Sequence, residues 1–242
     1  MDALTNPRAM AGQCRATTDC EHCRVRFLSV CAALDRDELA ELEAIAQSIH
    51  FDAKETIFLE GEDARALYNV TCGTLRLYRL FDDGRRQIIG FALPGDFLGL
   101  DLASSHAFSA DAIDAVSACR FSRTSFTALT ERKPHLLRRL HSATTRELSA
   151  AQDQVMALGR RSAEEKVAWF LIHLRERYAR VGDRTTMIAL PMSRLDIADF
   201  LGLTIETVSR TLTRLARDES IAIDPGGIRL VDVRRIEQLA AA

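Results

Sequence analysis

Long apolar runs are missing from this chain of 242 residues, and its first residues lack the apolar core of a secretory signal peptide. No uninterrupted apolar stretch approaches the roughly 20 residues that a helix needs to cross a bilayer. These absences argue against export and against insertion in a membrane. We therefore expect a cytoplasmic protein that has no membrane partner and whose thiols stay reduced.

The sequence also lacks motifs that are typical of enzymes. It has no strong excess of positive or negative charge either. It has no Gly-x-Gly-x-x-Gly fingerprint and no arrangement typical of a catalytic nucleophile, so we expect that it is not an enzyme. The formal net charge is −2, but residues 160–242 carry 14 Lys and Arg against 12 Asp and Glu. This C-terminal third is slightly basic, which leaves a nucleic-acid partner open.

A helix-turn-helix is predicted between Met192 and Leu215. Ser193 and Asp196 have the spacing of a capping box that begins a helix, and Gly202 marks the end of that helix. Thr204 can cap a second helix. The apolar residues that recur at helical spacing in the two helices are Ile197, Phe200, Leu201, Val208, Leu212 and Leu215. Such a pair places its second helix in the major groove of DNA.

The second helix would present polar side chains to the edges of the bases. Glu206, Ser209 and Arg210 lie near its start and can bond to cytosine, to either base and to guanine, respectively. Thr204 and Arg214 would complete the contacts with DNA. Helix pairs of this kind also occur in proteins that do not bind DNA, but a hairpin over 221–231 with a Pro-Gly-Gly turn favours a winged DNA-binding domain.

A long helix precedes this domain and is expected to pair with a second copy. Pro134 suits the first turn of a helix, which should run to about residue 159. A stripe at steps of three and four comprises Leu137, His141, Thr144, Leu148, Ala151, Val155 and Leu158. The stripe could instead pack on the domain before it, but a two-fold DNA site requires a two-fold protein. We therefore predict a homodimer.

Cysteines are concentrated near the start of the chain. Two residues separate Cys20 from Cys23, and Cys31 follows after seven more, a spacing at which thiolates can share one metal centre. The candidates for a fourth ligand are Cys14, Cys72 and Cys119. Spacing alone does not distinguish a tetrahedral zinc site from an iron–sulfur cluster.

Short strands separated by turn residues, typical of an antiparallel roll, occupy 49 to about 126, and a short helix is expected over 36–48. The strand pattern and the segment Gly202 to Arg210 resemble the Crp/Fnr family of bacterial regulators. The resemblance implies an α+β fold with a β-roll like that of cyclic-nucleotide-binding proteins, a long dimerisation helix and a C-terminal winged helix-turn-helix. The expected segments are 1–34, rich in cysteine, 35–132, the roll, 133–160, the dimerisation helix, and 161–242, the DNA-binding domain.

Within that family the chain looks like the oxygen-sensing Fnr branch. The resemblance implies a [4Fe-4S] cluster held by Cys20, Cys23, Cys31 and Cys119, with Cys14 unused. Cys72 alternates inward along a predicted strand, and we expect it to be a small buried residue. It also implies double-stranded DNA with a TTGAT-type half-site and the control of genes used when oxygen is scarce. Contacts with RNA polymerase would be made by Asp82, Asp83, Gly84, Arg85, Asp183 and Arg184.

Binding of a cyclic nucleotide is not expected. Family members that bind one carry a glutamate for the ribose and an arginine for the phosphate after a Gly-Asp-Phe segment. Here Leu100 stands at the position of the glutamate, the segment 108–112 has no arginine, and Asp111 would repel a phosphate. Two alternatives remain for the function: a regulator of the same fold that senses through its thiols or through zinc, and an iron–sulfur electron carrier.

Overall fold

The computed structural model describes residues 19–100, 103–180 and 187–241 and has the predicted α+β architecture. A 3-10 helix, Val30–Ala33, and helix α1, Arg36–Ala44, precede the strands of the first domain. These strands are β1 (Ala46–Phe51), β2 (Thr56–Phe58), β3 (Ala66–Cys72), β4 (Leu75–Leu80), β5 (Arg86–Ala92), β6 (Phe97–Leu98), β7 (Ser109–Ala112) and β8 (Val116–Ser122).

The eight strands form two four-stranded sheets, which together make the predicted roll. One sheet has the strand order β1-β8-β3-β6 and the other has the order β2-β7-β4-β5. Neighbouring strands in both sheets are antiparallel. A buried apolar cluster that includes Phe58, Val70, Leu75 and Val116 joins the two sheets.

Two boundaries of the roll differ from the predicted ones. The sequence predicts a first helix over 36–48, but α1 ends at Ala44 and the next residues pair as β1 with β8. At the other end, β8 ends at Ser122 rather than near residue 126. The hydroxyl of Ser122 accepts a hydrogen bond from the N–H of Ser125 and caps helix α2, Arg123–Arg132. This cap lacks a Glu or Gln three residues later, so its sequence signal is weak.

Helix α3, Pro134–Arg160, leads from the roll to the C-terminal domain over 27 residues. It begins with a proline, as predicted. Its early residue Leu136 is fully buried and packs with Val30 and Leu34 of the N-terminal segment and with Phe126 of α2. The start of α3 is therefore anchored to the N-terminal segment and to the roll.

The C-terminal domain has the predicted winged helix-turn-helix. Its elements are α4 (Ala163–Arg180), β9 (Met187–Ala189), α5 (Arg194–Leu201), α6 (Ile205–Arg217), β10 (Ile221–Asp224), β11 (Gly227–Leu230) and α7 (Val233–Ala241). The three strands form a sheet in the order β10-β11-β9. Across the described parts of the chain, no helix combines the length and the apolar character needed to cross a membrane.

The roll and the C-terminal domain share one apolar core. Phe91 of β5 lies 5.3 Å, between ring centroids, from Phe200 of α5 and 6.2 Å from Phe170 of α4. Tyr78, Ile88 and Leu93 of the roll belong to the same buried cluster. Because this junction is apolar and closely packed, the two domains stabilise one another.

Replacing Phe91 by alanine should lower the free energy of unfolding by about 3–5 kcal/mol, because it removes a buried ring from the junction and leaves a cavity. Phe91 is 4% exposed. The matched control is Leu80→Ala at the end of β4, where the side chain is 58% exposed and the expected change is within about 0.5 kcal/mol. Urea denaturation measures both. Equal effects of the two substitutions would contradict a shared core.

Candidate nucleic-acid interface and cysteine site

The turn between α5 and α6 is built by the local signals that the sequence shows. The hydroxyl of Ser193 accepts a hydrogen bond from the N–H of Asp196 at 3.1 Å, and the Asp196 carboxylate accepts one from the N–H of Ser193 at 3.0 Å. This reciprocal pair is the predicted capping box. Gly202 has a φ of 61°, in the left-handed region that favours glycine, and lets the chain turn into α6.

Helix α6 has one buried face and one exposed face. The hydroxyl of Thr204 accepts a hydrogen bond from the N–H of Thr207 at 3.2 Å and begins the helix, as predicted. Glu206 and Arg210 are exposed, and Ser209 is half-buried. The residues that fix the other face in the core are Val208, Leu212 and Leu215. The proposed base-reading side chains are therefore on the accessible side.

Arg214 lies on the same helix but already has a partner within the chain. Its guanidinium forms an ion pair with the carboxylate of Glu164 in α4, with a nitrogen–oxygen distance of 2.6 Å. The Arg214 side chain is about half-exposed, and ion pairs this accessible to water contribute only about 0–1 kcal/mol. A DNA phosphate can therefore compete for this arginine.

The predicted hairpin is present as β10 and β11. Ile221 pairs with Leu230, and the register continues to Asp224 and Gly227 on either side of the turn. Arg229 on β11 forms an ion pair with Asp224 at 3.2 Å. The hairpin follows α6 directly and has the position of a wing.

The stripe predicted on α3 faces solvent. Six of its seven residues are exposed, including Leu137, Leu148 and Val155, and the seventh, Leu158, is half-buried. A different face of the helix, with Leu136 and Leu140, packs on the core of the N-terminal region. The stripe does not pack on the roll of its own chain, which was the alternative interpretation.

Three of the four predicted thiol ligands lie against one apolar cluster. Cys31 is buried in the 3-10 helix, and Cys20 and Cys119 are half-buried beside the same cluster. Cys119 lies within β8, opposite Ser48 of β1 and Asn69 of β3. The fourth predicted ligand, Cys23, is also half-buried and is a free thiol.

The four thiols are close enough to influence one another electrostatically. Burial raises the pKa of Cys20 to about 12, and the charges of Cys31, Cys119, Glu43 and Cys23 act in the same direction. Burial likewise raises the pKa of Cys119 to about 12, with Cys23 and Cys31 as the next causes. Among the residues that the structure describes, no three Cys, His, Asp or Glu side chains surround a single ion position.

Two polar side chains that sequence reasoning missed support the cysteine segment. The Glu43 carboxylate at the end of α1 accepts a hydrogen bond from the N–H of Cys20 at 3.3 Å. The hydroxyl of the buried Ser29 accepts one from the N–H of Cys31 at 3.2 Å. Ser29 caps the 3-10 helix, and a serine at the start of a helix was the available signal for it. No comparable signal marks Glu43.

Two expectations for Cys72, that it is a small buried residue and that its thiol stays reduced, were wrong. Cys72 is half-buried at the end of β3 and is disulfide-bonded, rather than a small buried residue. A shift in register between Val70 and Cys72 interrupts the regular alternation of the strand, on which the prediction rested. Cys14 lies outside the described residues.

The predicted polymerase contacts fall in two places. Asp82, Asp83, Gly84 and Arg85 form an exposed turn between β4 and β5, in which Arg85 pairs with Asp83 at 2.7 Å. Asp183 and Arg184 lie outside the described residues.

Asp111 has a role within the protein that the sequence did not indicate. Its carboxylate accepts hydrogen bonds from the Thr56 hydroxyl at 2.9 Å and from the Arg76 guanidinium at 2.9 Å. The negative charge that was expected to repel a phosphate is therefore balanced by Arg76.

Comparison with known proteins identifies both domains. The family described as "Crp-like helix-turn-helix domain" matches residues 165–239, and the family described as "Cyclic nucleotide-binding domain" matches residues 48–133. The chain is 53% identical to the nitrogen fixation regulation protein FixK of Bradyrhizobium diazoefficiens, over 92% of this chain and 94% of that protein. It is 51% identical to the transcriptional activatory protein AadR of Rhodopseudomonas palustris, over 93% of this chain and 97% of that protein.

A solved structure supports the same assignment. FixK2 from Bradyrhizobium japonicum has a TM-score of 0.75 and 38% identity with this chain, and the match covers 82% of this chain and 98% of FixK2. The named relatives regulate transcription and are not enzymes, in agreement with the sequence analysis. On the evidence of its helix-turn-helix, its roll and these relatives, the chain belongs to the Crp/Fnr family of transcriptional regulators.

Proposed function

We propose that this regulator binds a two-fold DNA site as a homodimer and that a [4Fe-4S] cluster, held by Cys20, Cys23, Cys31 and Cys119, controls that binding. The observation that carries the proposal is that Cys20, Cys31 and Cys119 lie beside one apolar core that continues into the start of α3. The charge of the fourth thiol, Cys23, acts on Cys20 and Cys119. When bound, the cluster supplies redox chemistry and sensitivity to oxygen. The protein would then regulate genes used when oxygen is scarce.

The chemistry of the donor set fits an iron–sulfur cluster. Four cysteine thiolates are the usual ligands of a [4Fe-4S] cluster, and the four thiols here are free. Burial raises the pKa of Cys31, as it does for Cys20 and Cys119, so these thiols are held as neutral groups when no cation compensates them. A bound metal centre would provide that compensating charge.

The position of the cysteines offers a physical route to the dimer interface. Cys31 and Leu34 pack with Leu136 and Leu140 at the start of α3. Leu137 and His141 of the stripe directly follow these two anchored residues in the sequence. Successive helical residues lie about 100° apart, so the anchored residues also fix the direction in which the start of the stripe points. Ordering of the cysteine segment would thus fix the first turns of α3 and favour pairing of the stripe with that of a second copy.

Dimerisation would set the distance between two recognition helices. A two-fold protein that reads successive major grooves holds its recognition helices about 34–36 Å apart. Each half-site alone binds weakly, so DNA affinity depends on holding both units together. Glu206, Ser209 and Arg210 would read a TTGAT-type half-site, and Thr204 and Arg214 would contact the phosphate backbone.

Further partners follow from the same proposal. The exposed turn from Asp82 to Arg85 would contact RNA polymerase, as would Asp183 and Arg184. The name of AadR describes an activatory protein, which supports activation for this chain as well. No cyclic nucleotide is required in this scheme.

Anaerobically prepared protein should be brown and contain about four iron atoms per chain. Cys119→Ser should lose the colour and the iron, whereas Cys72→Ser should keep both, because Cys72 lies outside the proposed ligand set. Metal analysis and visible absorbance before and after exposure to air provide the measurement. Colourless protein with one zinc ion per chain would favour the alternative of a zinc-holding regulator and overturn the cluster.

Leu148→Asp should convert the anaerobic dimer into a monomer, because it places a charge on the exposed apolar stripe. Leu148 is 60% exposed in the single chain, so folding of the monomer should be unaffected. Ser149→Asp is the matched control, since its exposed side chain is turned by about 100° from Leu148. Sedimentation measures the mass of each variant. A dimer that survives the Leu148 substitution would rule out this stripe as the interface.

Glu206→Ala and Arg210→Ala should each reduce discrimination between the correct and a substituted half-site base by about 1–3 kcal/mol. Arg214→Ala should instead weaken binding to all sequences by a similar factor, because a phosphate contact carries no information about the base. Titrations of labelled operators at fixed salt distinguish these effects. Unchanged base preference in the first two variants would exclude the assigned reading face.

A further inference from the structure

A group of charged side chains joins the roll to the helix-turn-helix. Arg76 of β4 and Arg86 of β5 extend from the roll towards Asp196 and Asp199 of α5. We call these four residues the arginine clamp. Neither the cysteine site nor the stripe on α3 includes any of them.

Arg86 binds both aspartates of the clamp. Its Nη2 atom lies 2.7 Å from a carboxylate oxygen of Asp199 and 2.8 Å from one of Asp196, and its Nε atom donates to Asp199 at 3.0 Å. Arg76 lies 3.3 Å from the same oxygen of Asp196 and 2.9 Å from Asp111 of β7. The clamp is thus a connected network whose two arginines share Asp196.

The side chains of the clamp are more buried than those of the ion pairs on the protein surface. The Asp196 side chain is only 5% exposed, and those of the other three members are 21–23% exposed. By contrast, Arg79 on the same strand as Arg76 pairs with Glu60 while its side chain is 60% exposed. Partial exclusion of water strengthens the attraction within the clamp and makes loss of one partner costly.

The charge state of Asp196 agrees with this geometry. Burial by itself would raise the pKa of Asp196, but hydrogen bonds from Ser193 and the charges of Arg86 and Arg76 outweigh it and hold the pKa below its usual range. Asp196 is therefore ionised at neutral pH. It serves α5 twice, as part of the capping box and as the centre of the clamp.

Neighbouring contacts restrict the same joint. The side-chain amide of Gln87 donates to the carbonyl oxygen of Asp199 at 2.5 Å. Arg177 of α4 donates to the carbonyl oxygen of Phe91 at 2.7 Å and also pairs with Asp96 of the roll. Both helices that flank the apolar junction are thus tied to the roll by directional bonds, which fix rotation as well as distance.

We propose that Arg76 and Arg86 are positioning residues for DNA recognition, which hold α5, and through it the recognition helix α6, in one orientation relative to the roll. The inference rests on the proposed two-fold dimer. In that dimer the separation and rotation of the two recognition helices follow from how each DNA-binding domain is seated on its roll. The clamp therefore determines which spacing between half-sites the protein accepts.

The physical basis is the geometry of the double helix. One additional base pair between half-sites shifts the second site by about 3.4 Å and turns it by roughly 35°. A rigidly seated pair of domains cannot follow this movement without breaking contacts. A joint without its ion pairs can rotate, so it recovers some affinity for the altered site and loses some for the correct one.

The test compares Arg86→Gln and Arg76→Gln with the parent, with Arg79→Gln as the matched control on the exposed pair. Protein prepared without air is titrated with operators that have the correct spacing, one base pair more or one fewer, and with a single half-site. Relative to the parent, we expect the ratio of affinities for correct and altered spacing to fall at least about tenfold in the clamp variants. The control and all half-site affinities should stay within about twofold.

A second variant examines the other side of the clamp. Asp199→Asn should relax the spacing preference as Arg86→Gln does; Asp196 is left intact because it also caps α5. An unchanged spacing preference in the clamp variants would overturn the inference, as would a parallel loss of half-site affinity, which indicates general loss of structure. If the parent itself does not prefer a two-fold operator over a half-site, the proposed function fails instead.

Discussion

Packing of Phe91 against Phe170 and Phe200 is the interaction on which the arrangement of this molecule depends. It merges the core of the roll with the core of the helix-turn-helix, so that the DNA-binding domain is not a freely tethered unit. Apolar burial supplies the attraction but little direction. Direction comes from the surrounding hydrogen bonds and ion pairs, such as that of Arg177 with the carbonyl oxygen of Phe91. The orientation of the reading face is thus a property of the whole chain.

The cysteine region shows the same division between apolar packing and polar support. Cys20, Cys31 and Cys119 lie beside a cluster of leucine and phenylalanine side chains that also receives Leu136 of α3. Gly95, with a φ of +97°, allows the loop between Cys23 and Cys31 to approach closely, because a Cβ at this position would come within 2.9 Å of Leu28. A movement of the cysteine segment would therefore alter its packing against the roll and against the first turns of α3.

The features that could be predicted from the sequence are those with local causes. The Ser193–Asp196 capping box, the turn at Gly202 and the cap at Thr204 depend on residues within a few positions of each other, and all three are present. The arginine clamp could not be predicted, since Arg86 and Asp199 are 113 positions apart and no pattern links them. The irregular register near Cys72 likewise arises from pairing with a distant strand. The four candidate thiols were singled out by spacing and resemblance, but the support that Glu43 gives to Cys20 required the fold.

Three arginines around the reading face pair with carboxylates of the same chain. Arg214 pairs with Glu164, Arg217 with Asp218 and Arg229 with Asp224. When one of these arginines contacts a DNA phosphate, it must leave its carboxylate partner. The contact therefore does more than release the cations that are condensed on the DNA. Indiscriminate attraction to the genome should consequently be weak and depend only shallowly on ionic strength. Such a regulator would bind weakly to non-specific DNA. A larger share of its affinity for an operator would come from hydrogen bonds with the bases.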